Sequence, residues 1–216
     1  MTKYIGFDLD GTLATLDFDE RIWLEEIPKL YSEKNNLDLK EAKDKLYATY
    51  FRSWMIEKIK DWTDIEYWFD RLGLEDWQKL IEDMKEEIYL YEDAVPALEK
   101  LKEDYKLIII TNSNRKFLDI KVESGGLDKY FDKIYSVNSD LGYSVKEPEV
   151  YTNICKELNI HPTKMVYIGD DYIRDYMIPS SVGINAYYLD RADTAGREEK
   201  KVTNLKEFVE KIKENE

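Results

Sequence analysis

The chain has 216 residues, of which 43% are hydrophobic and 36% are charged. This length and apolar content allow one large core, or a core with a smaller accessory domain, and they exclude intrinsic disorder. Acidic residues outnumber basic ones by 46 to 32, which gives a net charge of -14. Such a surface repels nucleic-acid backbones and anionic lipid, so neither nucleic acid nor a membrane is an expected partner.

The sequence predicts a cytoplasmic protein. Residues Met1 to Phe7 have the pattern of a β-strand and not that of a signal peptide. No uninterrupted apolar run reaches membrane-spanning length. Cys155 has no second cysteine with which to form a disulfide, which fits a reducing compartment. The oligomeric state is left open.

Apolar, β-branched runs alternate with helical patterns through most of the chain. Candidate strands lie at Ile5 to Leu9, Lys106 to Ile110, Ile134 to Ser136, Met165 to Ile168 and Ile184 to Tyr188. Candidate helices lie at Ala94 to Lys102, Arg115 to Glu123, Pro148 to Leu158 and Leu205 to Lys213. Near-continuous apolar strands are typical of parallel sheets covered by helices on both faces. The alternation predicts an α/β fold with a doubly wound, mostly parallel sheet.

Residues 17–89 show a different pattern, with apolar residues at helical spacing and no strand signal. This segment holds all five tryptophans of the chain. Thr63 followed by Glu66 forms a capping-box pattern that predicts a helix start, and Gly73 predicts a helix end. We interpret the segment as an all-helical insertion of about four helices. The remaining residues, 1–16 and 90–216, then form the core.

Three predicted strands lead into acidic or hydroxyl side chains, at Asp8, Thr111 and Asp170. In open parallel sheets, ligands bind beyond the carboxyl ends of the strands, so we expect these side chains to converge. Asp8 and Asp10 are two residues apart, which points both side chains to one face if the strand continues through them. The sequence therefore predicts a polar site at this edge of the sheet.

Further acidic residues follow the same strands, at Asp10, Asp171 and Asp175. Carboxylates crowded into one cleft repel one another and hold protons, and a divalent cation relieves that repulsion. Oxygen ligands favour magnesium over zinc, and one histidine with one cysteine cannot form a nitrogen and sulfur site. Carboxylates, a metal ion, a hydroxyl and a lysine together suit phosphoryl transfer.

The order of these motifs resembles the haloacid dehalogenase superfamily. Residues Asp8 to Leu13 are similar to its nucleophile motif, and Thr111 to Ser113 to its second motif. Gly169 to Asp171, followed by Asp175, resemble its fourth motif. The helical segment lies where the family has a helical cap. The resemblance implies a Rossmann-like core and a hydrolase of the phosphatase type.

The resemblance also implies a role for each residue. Asp8 would attack the phosphorus and form an aspartyl-phosphate. Asp10 would protonate the leaving oxygen and then activate the hydrolytic water. Thr111 and Asn112 would bind the phosphoryl oxygens. Asp8, Asp170 and the backbone carbonyl of Asp10 would hold Mg²⁺.

The third motif departs from the family pattern. The family usually has lysine followed directly by proline, whereas here Glu147 separates Lys146 from Pro148. We assign Lys146 to phosphoryl binding and to charge neutralisation at the nucleophile. Asp171 and Asp175 are assigned supporting positions in the fourth motif.

These features predict a magnesium-dependent phosphatase that acts on a small phosphorylated metabolite. A phosphomutase of the hexose-phosphate type is the alternative, because the same residues could return the phosphoryl group to a second hydroxyl. Asp10 argues against dehalogenation, since dehalogenases of the superfamily typically lack this aspartate. A receiver-like protein would carry its phosphorylated aspartate after the third strand, where this chain has Ser136. A non-catalytic phospho-ligand-binding protein would not need both Asp8 and Asp10.

Overall fold

The computed structural model describes residues 4–196 and 200–214; the first three residues of the predicted N-terminal strand lie outside this range. Within the described residues, six strands form one sheet in the order β3-β2-β1-β4-β5-β6, and neighbouring strands pair in parallel. The strands are β1 Tyr4–Phe7, β2 Lys106–Thr111, β3 Lys133–Ser136, β4 Met165–Gly169, β5 Asn185–Leu189 and β6 Lys201–Val202.

The prediction of a doubly wound parallel sheet is confirmed. The strand order is that of the dinucleotide-binding type of doubly wound fold, and it differs from the order 2-1-3-4-5 of receiver-like domains. This difference argues against the receiver-like alternative. β6 was not predicted, because two residues in a polar stretch are too short to show a strand pattern.

Helices cover both faces of the sheet. Those of the core are α6 Ala94–Leu101, α7 Arg115–Ser124, α8 Pro148–Glu157, α9 Ile178–Ser181 and α10 Leu205–Glu214. Successive residues of β2 are buried on opposite faces: Leu107 and Ile109 belong to one apolar cluster, and Ile108 and Ile110 to another. Burial on both faces explains why the strands are apolar at almost every position.

The segment between β1 and β2 is helical, as predicted. Its elements are α1 Asp17–Glu20, a π-helical stretch Arg21–Glu26, α2 Ile27–Asn35, α3 Leu39–Met55, α4 Ile65–Leu72, α5 Trp77–Met84 and a 3₁₀ turn Lys85–Glu87. Because the first three are continuous, the segment has four helical stretches in its described residues. Its buried cluster includes Phe18, Leu46 and Phe69, and it extends to Phe117 of α7.

One predicted helix start was wrong by one residue. Asp64, and not Thr63, caps α4, since its carboxylate accepts a hydrogen bond of 2.9 Å from the backbone N–H of Glu66. Gly73 ends the same helix with φ of 65°, as expected for a C-terminal glycine. Over residues 4–196 and 200–214, no helix has the length and apolarity needed to cross a membrane.

Phe7 at the end of β1 tests the packing of the central strand. Its ring is fully buried, with edge-on contacts to Phe131 and Phe208 at centroid distances of 6.1 and 6.0 Å. Phe7→Ala is expected to lower the free energy of unfolding by about 3–5 kcal/mol because it leaves a cavity. Phe51→Ala, at a ring that is 59% exposed, is the control and should change it by about 0.5 kcal/mol or less. Urea unfolding of both variants makes the comparison, and equal losses would contradict it.

Candidate active site

The site lies at the carboxyl edge of the three central strands. Asp8 follows β1, Thr111 ends β2, and Asp170 follows β4. The backbone N–H of Asp8 donates to the carbonyl of Ile168 at 2.9 Å, so the ladder between β1 and β4 extends one residue beyond the strand. The sheet itself therefore fixes the backbone position of Asp8.

The chain turns sharply after Asp8. The carbonyl of Leu9 accepts from the backbone N–H groups of Leu13 and Ala14, at 2.8 and 2.9 Å. Gly11 has φ of 77°, and a Cβ atom there would lie 2.3 Å from Oδ2 of Asp170. Both the backbone angle and the approach of the carboxylate require glycine at this position. Because the strand ends before the turn, the alternation of strand side chains does not extend to Asp10.

Lys146 joins two of the acidic side chains. Its Nζ atom donates to Oδ1 of Asp8 at 2.6 Å and to Oδ1 of Asp175 at 2.7 Å, and all three residues are buried. The backbone N–H of Lys146 donates to Oδ1 of Asn112 at 2.9 Å. The hydroxyl of Tyr167 donates to Asp175 at 3.3 Å. Asn112 thus fixes the backbone of Lys146, while the two aspartates fix its ammonium group.

Burial perturbs the acids of this site. It raises the pKa of Asp8 well above its usual range; the charge of Lys146 opposes this effect, and that of Asp175 adds to it. Burial, and then the charge of Asp175, raise the pKa of Asp170 to about 6. Burial alone would lower the pKa of Lys146, but the neighbouring charges of Asp175 and Asp8 outweigh this effect and raise it. The raised pKa values of Asp8 and Asp170 are those expected of carboxylates that are buried and lie beside other carboxylates.

The donor set fits a hard divalent cation. Asp8, Asp170 and Asp175 each bring one carboxylate oxygen within 4.8 Å of the others. Carboxylate oxygens are the ligands that magnesium and calcium prefer. Burial is the main cause of the raised pKa values of Asp8 and Asp170, and a cation at this point would offset the carboxylate repulsion that adds to it.

Thr111 and Asp171 hold the backbone around the site. The Thr111 hydroxyl accepts from the backbone N–H of Ser113 at 3.1 Å, which shapes the loop after β2. Asp171 caps the π-helical turn Tyr172–Met177 and forms an ion pair of 2.6 Å with Arg174. The Asp171 carboxylate is therefore used within its own turn, whereas that of Asp175 joins the acidic cluster.

A close approach also restricts residue 169. A Cβ atom on Gly169 would lie 2.4 Å from the carboxylate carbon of Asp175. No side chain contact of this length exists in folded proteins, so glycine is required while Asp175 keeps its place.

The structure adds two residues that the sequence did not indicate. Lys121 donates to Oδ1 of Asp10 at 2.5 Å and also to the carboxylate of Asp19. Burial raises the pKa of Asp19 to about 6, although Lys121 opposes this. One signal was present in the sequence: Lys121 lies four residues after Phe117, on the apolar face of α7, where an unpaired lysine is costly.

A cavity of about 230 Å³ opens beside Asp10. Its walls come from the loop after β2 and from the helical segment, and they include Asp19, Trp23, Trp62, Asn112 and Phe117. Trp23 packs against Phe117 with a centroid distance of 5.6 Å, which joins the helical segment to α7. The cavity offers room for an organic group next to the acidic site.

Removing the ammonium group of Lys146 tests the electrostatics of the buried acidic cluster. In metal-free buffer, Lys146→Met is expected to lower the free energy of unfolding by about 3–5 kcal/mol, because two buried carboxylates lose their partner. Lys133→Met is the control, since its ion pair with Glu157 is exposed and the substitution should change stability very little. Urea unfolding in the presence of a chelator gives both values. A loss no larger than that of the control would contradict this account.

Comparison with known proteins agrees with this geometry. The family model for haloacid dehalogenase-like hydrolases matches residues 2–182. The GMP/IMP nucleotidase YrfG of Escherichia coli is 29% identical over 164 residues, which cover 76% of this chain and 72% of that protein. The N-acylneuraminate-9-phosphatase of Rattus norvegicus is 25% identical over 201 residues, with 85% and 80% covered. The crystal structure of a HAD phosphatase from Thermococcus onnurineus aligns with a TM-score of 0.82 and 26% identity over 98% of each chain. The chain therefore belongs to the haloacid dehalogenase-like hydrolase family.

Proposed function

We propose that this protein is a magnesium-dependent phosphatase that hydrolyses a small phosphorylated metabolite through an aspartyl-phosphate on Asp8. The observation that carries the proposal is the position of Asp8. It stands at the end of the central strand, 2.6 Å from the ammonium of Lys146 and within 4.8 Å of the Asp170 carboxylate. A nucleophilic carboxylate that attacks a phosphate dianion needs such compensation of negative charge.

The proposed reaction has two steps. An oxygen of Asp8 bonds to the phosphorus while the ester bond breaks, and Asp10 gives its proton to the leaving oxygen. Water then attacks the phosphorus, Asp10 takes the proton from that water, and the bond between phosphorus and Asp8 breaks. Inorganic phosphate leaves, and both aspartates return to their first states.

Thr111, Asn112 and Lys146 would bind the phosphoryl group. The loop after β2 supports this role, because hydrogen bonds from Ser113 and Lys146 to the Thr111 and Asn112 side chains set its shape. Lys146 would offset the charge that develops during transfer. The ammonium of Lys146 is within hydrogen-bond distance of Asp8 already, so little reorganisation is needed.

Asp8, Asp170 and the carbonyl of Asp10 would hold the magnesium ion. When bound, the ion supplies positive charge that orients and neutralises the phosphoryl oxygens. Asp175 supports the set from the other side of Lys146, and Asp171 supports it by capping the turn that carries Asp175.

Residues 17–89 would form a cap domain on the core of residues 1–16 and 90–216. A contact between the two parts supports this arrangement of a cap that packs on the core: Trp62 Nε1 donates to the carbonyl of Ser144 at 3.1 Å. The cap would enclose the cavity beside Asp10 and select the leaving group.

The relatives bear on the type of reaction, and the composition bears on the cellular location. The relatives with a named activity act as a nucleotidase and a phosphatase, which favours hydrolysis over the mutase alternative and favours a small phosphorylated substrate. Location in the cytoplasm remains a prediction from the unpaired Cys155.

A panel of phosphomonoesters tests the proposed reaction. It should include nucleoside monophosphates, sugar phosphates and 4-nitrophenyl phosphate, each assayed with magnesium and with a chelator. We expect magnesium-dependent phosphate release, and Asp8→Asn is expected to lower it by at least about 1000-fold because the nucleophile is lost. Asp104→Asn, at an exposed position, is the matched control. Equal activity of the Asp8 variant and the wild type would disprove the nucleophile; turnover that requires a bisphosphate activator would favour the mutase.

Magnesium binding has a test that needs no turnover. At about 100 times its Kd, the ion should stabilise the native state by roughly 2.7 kcal/mol and raise the Tm by about 5 °C or more. Asp170→Asn should remove most of this shift because it removes a ligand. Sodium chloride at equal ionic strength is the control for general salt effects. An unchanged shift in the variant would contradict the assignment of Asp170.

A further inference from the structure

Lys121 is a buried lysine in the middle of α7. Only 1% of its side chain is exposed, and its ammonium lies 5.6 and 5.7 Å from the ring centres of Phe18 and Phe117. A lysine that is buried among aromatic rings loses several kcal/mol of hydration, and an ion pair has to offset this loss. Here the partners are the carboxylates of Asp10 and Asp19.

The two partners of Lys121 come from different parts of the chain. Asp10 belongs to the turn after β1, beside the nucleophile, whereas Asp19 belongs to α1, the first helix of the helical segment. One ammonium group therefore connects the proposed acid–base residue to the start of the proposed cap.

A second lysine on α7 offers a comparison. Lys116 forms ion pairs of 2.8 and 3.0 Å with Asp64 and Glu66 of the helical segment, and 24% of its side chain is exposed. Lys116 thus attaches the helical segment to α7 without contact to an acid of the site. Attachment alone does not require a lysine to be buried against Asp10.

We propose that Lys121 is a positioning residue, which holds the carboxylate of Asp10 in the orientation that general acid–base catalysis needs. This inference rests on the proposed function. Lys121 binds Oδ1 of Asp10, so the transferred proton is carried by Oδ2. In the first step, an oxygen of Asp8 bonds to the phosphorus, the ester bond breaks and the Oδ2 proton goes to the leaving oxygen. In the second, the same oxygen takes the proton of the attacking water, and the bond from phosphorus to Asp8 breaks.

The proposal predicts a dependence on the leaving group. Departure of 4-nitrophenolate needs no proton, whereas departure of the more basic phenolate does. With Lys121→Met, kcat/KM for phenyl phosphate is expected to fall by about 100-fold or more, the usual contribution of a general acid. For 4-nitrophenyl phosphate, kcat/KM should stay within about 3-fold of wild type, because Asp8 attacks as before. Its kcat should fall, since hydrolysis of the aspartyl-phosphate still needs Asp10 as a base.

Four variants separate positioning from folding and attachment. Lys121→Arg keeps the cation and should recover activity on phenyl phosphate by about 10-fold or more over Lys121→Met. Because Lys121→Met leaves the half-buried carboxylates of Asp10 and Asp19 without this cation, the double variant Lys121→Met with Asp19→Asn is used to keep the local charge balance. It should show the same dependence on the leaving group. Lys116→Met controls for attachment and should affect both esters equally.

The outcomes distinguish this role from the function on which it rests. Rapid release of 4-nitrophenol in an amount equal to the enzyme, followed by slow turnover in both Lys121→Met variants, supports the proposal. Suppose that the charge-balanced double variant loses kcat/KM equally on both esters while the wild type is active. This result overturns the positioning role of Lys121 and leaves the proposed function standing. A wild-type protein that turns over no phosphate ester with magnesium overturns the proposed function as well.

Discussion

Repulsion among buried carboxylates is the constraint on which this site depends. Parallel pairing of β1 and β4 brings their carboxyl ends to one edge, so Asp8 and Asp170, which follow these strands, are held close together. Lys146 offsets part of the repulsion through Asp8 and Asp175. Burial is the main cause of the raised pKa values of Asp8 and Asp170, and the remaining negative charge adds to it, so the set suits a divalent cation. The fold thus creates an electrostatic problem, which Lys146 offsets in part and which the proposed metal site would offset further.

A second lysine solves a similar problem on the other side of the turn after β1. Asp10 and Asp19 approach each other because α1 begins soon after that turn, and Lys121 reaches both from α7. Each proposed catalytic aspartate therefore has a buried lysine of its own, one from the loop before α8 and one from α7. The two lysines differ in their partners, since Lys146 binds Asp8 and Asp175 of the acidic cluster, whereas Lys121 joins Asp10 to Asp19.

The fold was predictable from repeating sequence patterns, whereas features that depend on one or two residues were missed or misplaced. Apolar strands such as β2 and the main helices were predictable because several residues in a row report the same environment. β6 was missed because it has two residues, and the start of α4 was misplaced because Thr63 and Asp64 are both good caps. For the site, the three strand ends were predictable from the edge of the sheet. Lys121 and Asp19 were not, since their meeting depends on how α1 packs on α7.

The close approach of Asp175 to residue 169 restricts how this sequence can evolve. A Cβ atom at Gly169 would collide with the carboxylate that binds Lys146, and a side chain could enter only after Asp175 had become smaller or had moved. Either substitution is damaging when it comes first. A side chain at residue 169 disrupts the end of β4, and loss of the Asp175 carboxylate leaves Lys146 with one partner fewer. Among descendants of this chain, the pair should therefore be retained together or replaced together, and intermediates that carry a single change should be rare.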